Sequence, residues 1–113
     1  MALARKDAKI PENAPKELLL DLHQTYIAKY GEDPDEYEYA MSDFLRMNGL
    51  YWGVAVMDLM NSLDKMDKEG IVKFIVECQD PETGGFRPVQ DHDPHILNTL
   101  SAVQVMDKVF KKR

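Results

Sequence analysis

The most apolar stretch of the chain lies near its middle, where large apolar side chains recur about one helical turn apart. These positions are Trp52, Val56, Met60 and Leu63. The spacing predicts an α-helix over residues 50–63 that is apolar on nearly every face. A helix of this kind is buried against more than one neighbour. Because a chain of 113 residues offers few neighbours, the sequence indicates one part of a larger all-helical protein.

The segments before this helix carry weaker helical signals. A first helix is expected to begin near Pro15, because proline suits the first turn, and to end near Gly31. Residues 33–47 are expected to form one helix or two short ones. The pair Asn48-Gly49 is expected to break the chain before the buried helix begins.

Two further helices are predicted after the buried one. Asp67 is a suitable N-cap for the first of them, whose apolar positions repeat on one face up to Cys78. A loop rich in proline and glycine follows. Asp93-Pro94 then predicts the start of the last helix, with Asp93 as its cap and Pro94 in its first turn.

No segment shows the clean alternation of a β-strand, so the predicted class is all-α. The pattern indicates about five to six helices. Residues 1–14 are polar and are expected to form an arm, whereas residues 15–113 are expected to form the helical segment.

Composition narrows the class of protein further. The chain is 44% hydrophobic and 30% charged, which is typical of a globular domain. Its net charge of -6 argues against nucleic acid as a partner, because phosphate contacts need clustered cations. The one basic cluster is interpreted as a solvated helix end. Its residues are Lys108, Lys111, Lys112 and Arg113.

Cellular context follows from what the sequence lacks. Cys78 is the only cysteine, which excludes an internal disulfide and suits a reducing compartment. The first residues have no apolar core like that of a signal peptide, and no stretch is long and apolar enough to span a bilayer. We therefore expect a cytoplasmic protein with no membrane span.

One loop carries a more specific signal. A helix that ends in Cys78-Gln79 and is followed by Gly84-Gly85-Phe86 resembles one repeat of the protein prenyltransferase β subunits. The physical content of such a repeat is that the glutamine hydrogen-bonds loop backbone, the glycines permit a tight turn, and the phenylalanine packs back between helices.

Within that superfamily the chain most resembles the β subunits of Rab geranylgeranyltransferase, the type II enzymes. The resemblance extends from about Ala14 to Gln104. The blocks that carry it include Leu18-Leu19-Leu20, Tyr26-Ile27-Ala28, Tyr37-Glu38-Tyr39, Leu45-Arg46-Met47, Tyr51-Trp52-Gly53, Val56-Met57-Asp58-Leu59-Met60, His92-Asp93-Pro94-His95 and Thr99-Leu100-Ser101-Ala102-Val103-Gln104.

The resemblance implies a fold and an activity. The fold is an α/α barrel, or toroid, of helical hairpin repeats, of which this chain supplies an incomplete part. The activity is transfer of geranylgeranyl from geranylgeranyl diphosphate to C-terminal cysteines of Rab GTPases. The implied partners are a prenyltransferase α subunit, which completes a heterodimer, and a Rab GTPase presented by an escort protein.

The resemblance also implies that catalytic zinc is held by later repeats, through an aspartate, a cysteine and a histidine that have no counterpart here. Cys78 belongs to the repeat signature, so it is not expected to be a zinc ligand. We therefore expect no cofactor and no catalytic residue in this chain, although zinc serves the full-length family.

The same resemblance suggests residues for the apolar cavity that holds the lipid. They are Asn48, Tyr51, Trp52, Asn98 and Leu100. A long polyprenyl chain needs a dry pocket whose depth is set by side-chain bulk. The alternative interpretation is that Tyr51 and Trp52 are ordinary core aromatics.

The sequence also offers a possible metal site and two alternative functions. Asp91, His92, Asp93 and His95 are residue types that ligate zinc, but a structural role at a helix start is the simpler interpretation. A non-catalytic helical module that binds a prenyltransferase α subunit or a related partner is the main alternative function. A cyclase-type repeat is a third, and it lacks its expected acidic Asp-x-Asp-Asp run.

Overall fold

A computed structural model describes residues 6–111 of the chain. Its five α-helices are α1 (Leu20–Lys29), α2 (Tyr37–Met41), α3 (Arg46–Leu59), α4 (Lys68–Cys78) and α5 (Ile96–Phe110). Short 3-10 turns at Asp43–Leu45 and Leu63–Lys65 lead into α3 and α4. Within the described range no strand forms, and one isolated antiparallel bridge joins Gln79 to Phe86. The predicted all-α class and helix number are confirmed.

Part of two predictions lies outside the described residues. The first residues of the polar arm, 1–5, and the last two cations of the basic cluster, Lys112 and Arg113, belong to that part of the chain. Among the described residues, no helix is both long enough and apolar enough to cross a membrane.

The core lies between α3, α4 and α5. Its buried members are Met47 and Val54 from α3, Ile75 and Cys78 from α4, and Ala102, Val105 and Val109 from α5. Phe86 and Tyr51 pack against this core from its edge. Helices α3 and α5 form the most extensive helix contact, and α1 lies against another side of α3.

Two polar contacts show that α3 and α5 run parallel. Ser101 Oγ donates to Asn48 Oδ1 at 2.7 Å near the start of both helices. Lys108 Nζ donates to Asp58 Oδ2 at 3.2 Å near the end of both. Helix α4 connects them in sequence. Its first residues lie beside the end of α5, where Lys68 and Phe110 border the same cleft, so α4 runs antiparallel to α5.

Three predicted helix boundaries are wrong. The apolar helix predicted over residues 50–63 ends at Leu59, and Asn61 follows with a positive φ of 53°. Asn48-Gly49 does not break the chain, because both residues lie inside α3, which begins at Arg46. Met47 is fully buried there, and burial outweighs the cost of about 1 kcal/mol of a helical glycine. At the other end of the chain, α1 begins at Leu20 and not near Pro15. Leu18 remains exposed, so no packing holds an earlier turn.

The cap of α4 is confirmed and that of α5 is not. Asp67 Oδ1 accepts a hydrogen bond from the backbone N–H of Gly70 at 3.0 Å. In α5 the N-cap is His95, whose Nδ1 accepts from the backbone N–H of Leu97 at 3.1 Å. The predicted cap, Asp93, lies too early, because the N–H of His95 is held by the carbonyl of Phe86 at 3.1 Å.

Candidate functional site

The loop between α4 and α5 has the geometry that its residues predict. Gln79 Nε2 donates to the carbonyl of Gly84 at 3.1 Å, and Gly84 adopts a positive φ of 77°. That backbone conformation favours glycine because it lacks a Cβ. Phe86 is half-buried against the core, and its N–H donates to Thr99 Oγ1 at 3.0 Å. The loop therefore ties the end of α4 to the first turn of α5.

A buried carboxylate holds the turn of this loop. Asp80 Oδ2 accepts from the hydroxyl of Thr83 at 2.6 Å, and Asp80 Oδ1 accepts from Arg87 Nη2 at 2.9 Å. The Thr83 hydroxyl is the main cause that lowers the pKa of Asp80, and the charge of Arg87 adds to it. Asp80 therefore stays ionised at neutral pH and joins Thr83 to Arg87 within the loop.

A row of apolar side chains lies uncovered along α3 and another along α5. We call these two rows the apolar wall; its members are Trp52, Val56, Leu59, Leu97, Leu100 and Val103, and all are exposed. On α3 the row lies about a quarter turn from the edge that contacts α5. On α5 the apolar row lies about a quarter turn around the helix from the side that contacts α3, but in the opposite direction of rotation. Because the helices run parallel, both rows face the same side.

The five residues predicted to line a lipid cavity fall into two groups. Trp52 is 57% exposed and Leu100 is 54% exposed, and both belong to the apolar wall. Asn48, Tyr51 and Asn98 lie deeper. Asn48 accepts the Ser101 hydrogen bond between the helices, and Tyr51 packs on the core.

The two neighbouring aromatic residues, Tyr51 and Trp52, differ in burial. Tyr51 is a core aromatic, whereas Trp52 is not, because more than half of its surface is exposed. Trp52 lies about a third of a turn further round α3 than Tyr51. A helix that is apolar on nearly every face needs more neighbours than this chain supplies, and among the described residues the side that carries Trp52 is uncovered.

Asn98 is the most unusual member of the predicted set. It is 6% exposed, and its Oδ1 has no hydrogen-bond partner among the described residues. Sequence reasoning missed Ser101, whose hydroxyl donates to Asn48. It also missed four wall residues, which are Val56, Leu59, Leu97 and Val103. The one available signal for Val56 was its position one turn after Trp52.

No group of three or more metal-ligating side chains converges among residues 6–111. His95 caps α5 through Nδ1, and His92 Nε2 lies 3.4 Å from Asp43 Oδ2. Burial is the main cause that raises the pKa of the Cys78 thiol from 9.0 to about 11; Glu77 raises it further and Arg87 opposes it. Cys78 is fully buried, and its side chain belongs to the core between α3, α4 and α5.

The arrangement of α3, α4 and α5 defines a class of protein. Two parallel helices that lie side by side, joined through an antiparallel helix and a tight loop, are the arrangement expected where helical hairpins repeat in an α/α toroid. Residues 18–110 match the family described as the prenyltransferase alpha-alpha toroid domain. The chain belongs to this family.

Several relatives are similar to this chain in sequence. The chain is 44% identical over 103 residues to a probable geranylgeranyl transferase type-2 subunit beta from Caenorhabditis elegans, which covers 91% of this chain and 30% of that protein. It is 45% identical over 89 residues to the Dictyostelium discoideum protein described in the same words, with coverages of 79% and 26%. The geranylgeranyl transferase type-2 subunit beta of Saccharomyces cerevisiae is 37% identical over 89 residues, with coverages of 79% and 27%.

Proposed function

We propose that this chain forms the N-terminal part of a type II geranylgeranyltransferase β subunit. In this proposal residues 1–14 are an arm and residues 15–113 are the first segment of the toroid. The chain spans only about 30% of the length of the C. elegans relative, so the remaining wall and the chemical step depend on residues outside it. The proposed location is the cytoplasm.

The observation that carries the proposal is the apolar wall. Six large apolar side chains on two parallel helices are exposed on one side. A surface of this kind excludes water and suits a long isoprenoid tail. Trp52 and Leu100 would contact the tail, while Asn48, Tyr51 and Asn98 would hold the two helices in register behind the wall.

The proposed partners follow from the same assignment. A prenyltransferase α subunit would complete the heterodimer, geranylgeranyl diphosphate would be the donor, and a Rab GTPase presented by an escort protein would be the acceptor. The proposal assigns any zinc of the assembled enzyme to residues outside this chain.

A hybrid subunit tests the proposal. The matching 103 residues of the C. elegans relative are replaced by this chain, and the hybrid is co-expressed with an α subunit. Geranylgeranyl transfer to a Rab protein is then measured with escort protein present. We expect activity, and we expect Leu100→Gln to lower kcat/KM for the lipid about tenfold, because a polar group enters the wall. Leu22→Gln is the matched control, since Leu22 is also exposed but lies on α1.

Two results would contradict the proposal. One is a folded hybrid that binds the α subunit but transfers no lipid, which would favour the alternative of a non-catalytic interaction module. The other is an equal loss of activity in Leu22→Gln and Leu100→Gln, which would mean that the wall has no special role.

A further inference from the structure

A second apolar feature lies on another side of α3. It is a cleft of about 730 Å³ bordered by α1, α2, α3 and the first turns of α4. Its aromatic lining consists of Tyr26, Tyr30, Tyr39, Trp52 and Phe74. Trp52 stands at the edge shared with the apolar wall, and the other four lie outside that wall. The proposed function gives this cleft no role.

Polar groups gather at one part of the cleft, where α2 meets α3. The Arg46 guanidinium stacks on the Tyr39 ring, 3.4 Å from its centroid, and Arg46 Nη2 donates to the Tyr39 carbonyl. The Tyr30 hydroxyl lies 3.5 Å from Ser42 Oγ, and both residues line the cleft with Arg46. A mostly apolar cleft with a few convergent polar groups is the usual form of a small-molecule site.

Arg46 brings a positive charge to the cleft. Within residues 6–111 no carboxylate lies within ion-pair distance of its guanidinium. The lining carboxylate, Asp67, is occupied as the cap of α4. Arg46 is half-buried and retains N–H donors beyond the one given to Tyr39. A partly desolvated cation of this kind is stabilised by an anion that enters the cleft.

We propose that the cleft binds a single-chain amphiphile with an anionic head. The carboxylate or phosphate head would lie against Arg46 and the hydroxyls of Tyr30 and Ser42, and the tail would lie on the aromatic lining. Because the whole chain carries a net charge of -6, its overall field disfavours anions. Any preference for an anionic head must therefore come from groups at the head itself, which are Arg46 and the hydroxyls of Tyr30 and Ser42. This inference is independent of the proposed function.

Trp52 makes the proposal testable in the full chain, since it is the only tryptophan and lines the cleft. Its emission is followed while dodecanoate, dodecyl phosphate, dodecanol or inorganic phosphate is added below any micelle concentration. We expect saturable binding of both anionic amphiphiles with a shift in Trp52 emission. We expect dodecanol to bind about tenfold more weakly or worse, and phosphate alone not to shift the emission.

Variants distinguish contact with the head group from nonspecific hydrophobic binding. Arg46→Gln should remove the preference for the anionic head and leave dodecanol binding within about twofold. Lys73→Gln is the matched control, because it changes the net charge equally at an exposed position of α4. If circular dichroism finds Arg46→Gln unfolded, Tyr30→Phe takes its place, since it removes one hydroxyl and keeps the ring; it should weaken the anions but not dodecanol.

The proposal is overturned by any of three results. The anionic amphiphiles may bind no better than dodecanol, the folded Arg46→Gln or Tyr30→Phe chain may keep the full preference, or binding may leave Trp52 emission unchanged. A shift with inorganic phosphate alone would also overturn it, because the site would then be an anion site without a tail.

Discussion

The hydrogen bond between Ser101 and Asn48 offers the sharpest test of how α3 and α5 are joined. Ser101 is buried, Asn48 is half-buried, and the Oγ to Oδ1 distance is 2.7 Å. Ser101→Ala removes the donor and leaves a carbonyl oxygen unpaired between the helices. Such a loss costs about 1–3 kcal/mol, and alanine returns about 0.5 kcal/mol of helix propensity. We expect a net loss of about 1–2 kcal/mol in the free energy of unfolding.

Urea unfolding followed by circular dichroism measures this loss, with Asn48→Ala and the double variant completing a cycle. We expect a coupling energy of about 1 kcal/mol, because the second substitution removes a group that is already unpaired. Thr25→Ala is the control. The Thr25 hydroxyl donates to the Asp21 carbonyl at 2.9 Å on the exposed face of α1, so its loss should stay within about 0.5 kcal/mol.

Additive losses in the cycle would refute this reasoning. They would mean that Ser101 and Asn48 stabilise the chain through separate contacts, and that the parallel arrangement of α3 and α5 needs another explanation near the helix starts. A loss in Thr25→Ala as large as that in Ser101→Ala would show that burial does not decide the effect.

Three further predictions follow from burial and capping. Trp52→Ala should lower the free energy of unfolding by less than about 1 kcal/mol, because Trp52 is largely exposed. Val54→Ala in the core should lower it by about 2 kcal/mol or more, as measured by urea unfolding. Equal losses would mean that Trp52 is buried in solution. Because burial raises the pKa of Cys78 to about 11, the free energy of unfolding should be highest below pH 9.0 and should fall as the pH rises through about 11. The fall should be on the order of 2 kcal/mol. A Cys78→Ala chain that loses the same stability at alkaline pH would contradict this. Asp67→Ala should cost about 0.5–2 kcal/mol through loss of the α4 cap, measured by thermal unfolding, and an unchanged midpoint would exclude the cap.

Local sequence signals predicted the parts of the fold that local chemistry controls. The α4 cap needs only Asp67 and the N–H three residues later, and the repeat loop needs only Gln79, a glycine at positive φ and an apolar Phe86. The Asp67 cap and the bond from Gln79 to Gly84 close within three to five residues, so spacing alone can predict them. The packing of Phe86 also needs α5, because its N–H donates to Thr99 Oγ1.

The wrong predictions concern features that are determined by contacts between residues far apart in sequence. The start of α3 is set by burial of Met47 against other helices, and the cap of α5 is set by the bond from His95 to Phe86 across the loop. The exposure of Trp52 depends on which sides of α3 are covered by α1 and α5. None of these could be read from spacing alone, because spacing defines a face but not its neighbour.

The most direct test of the account is to map where a geranylgeranyl chain touches this protein. A photoreactive geranylgeranyl diphosphate analogue is bound to the hybrid subunit with its α subunit, irradiated, and its adducts are located by mass spectrometry. The account predicts adducts on Trp52 and Leu100 that excess geranylgeranyl diphosphate prevents. Adducts confined to Leu22 on the outside of α1, or adducts on this chain that excess lipid does not prevent, would contradict the assignment of the apolar wall.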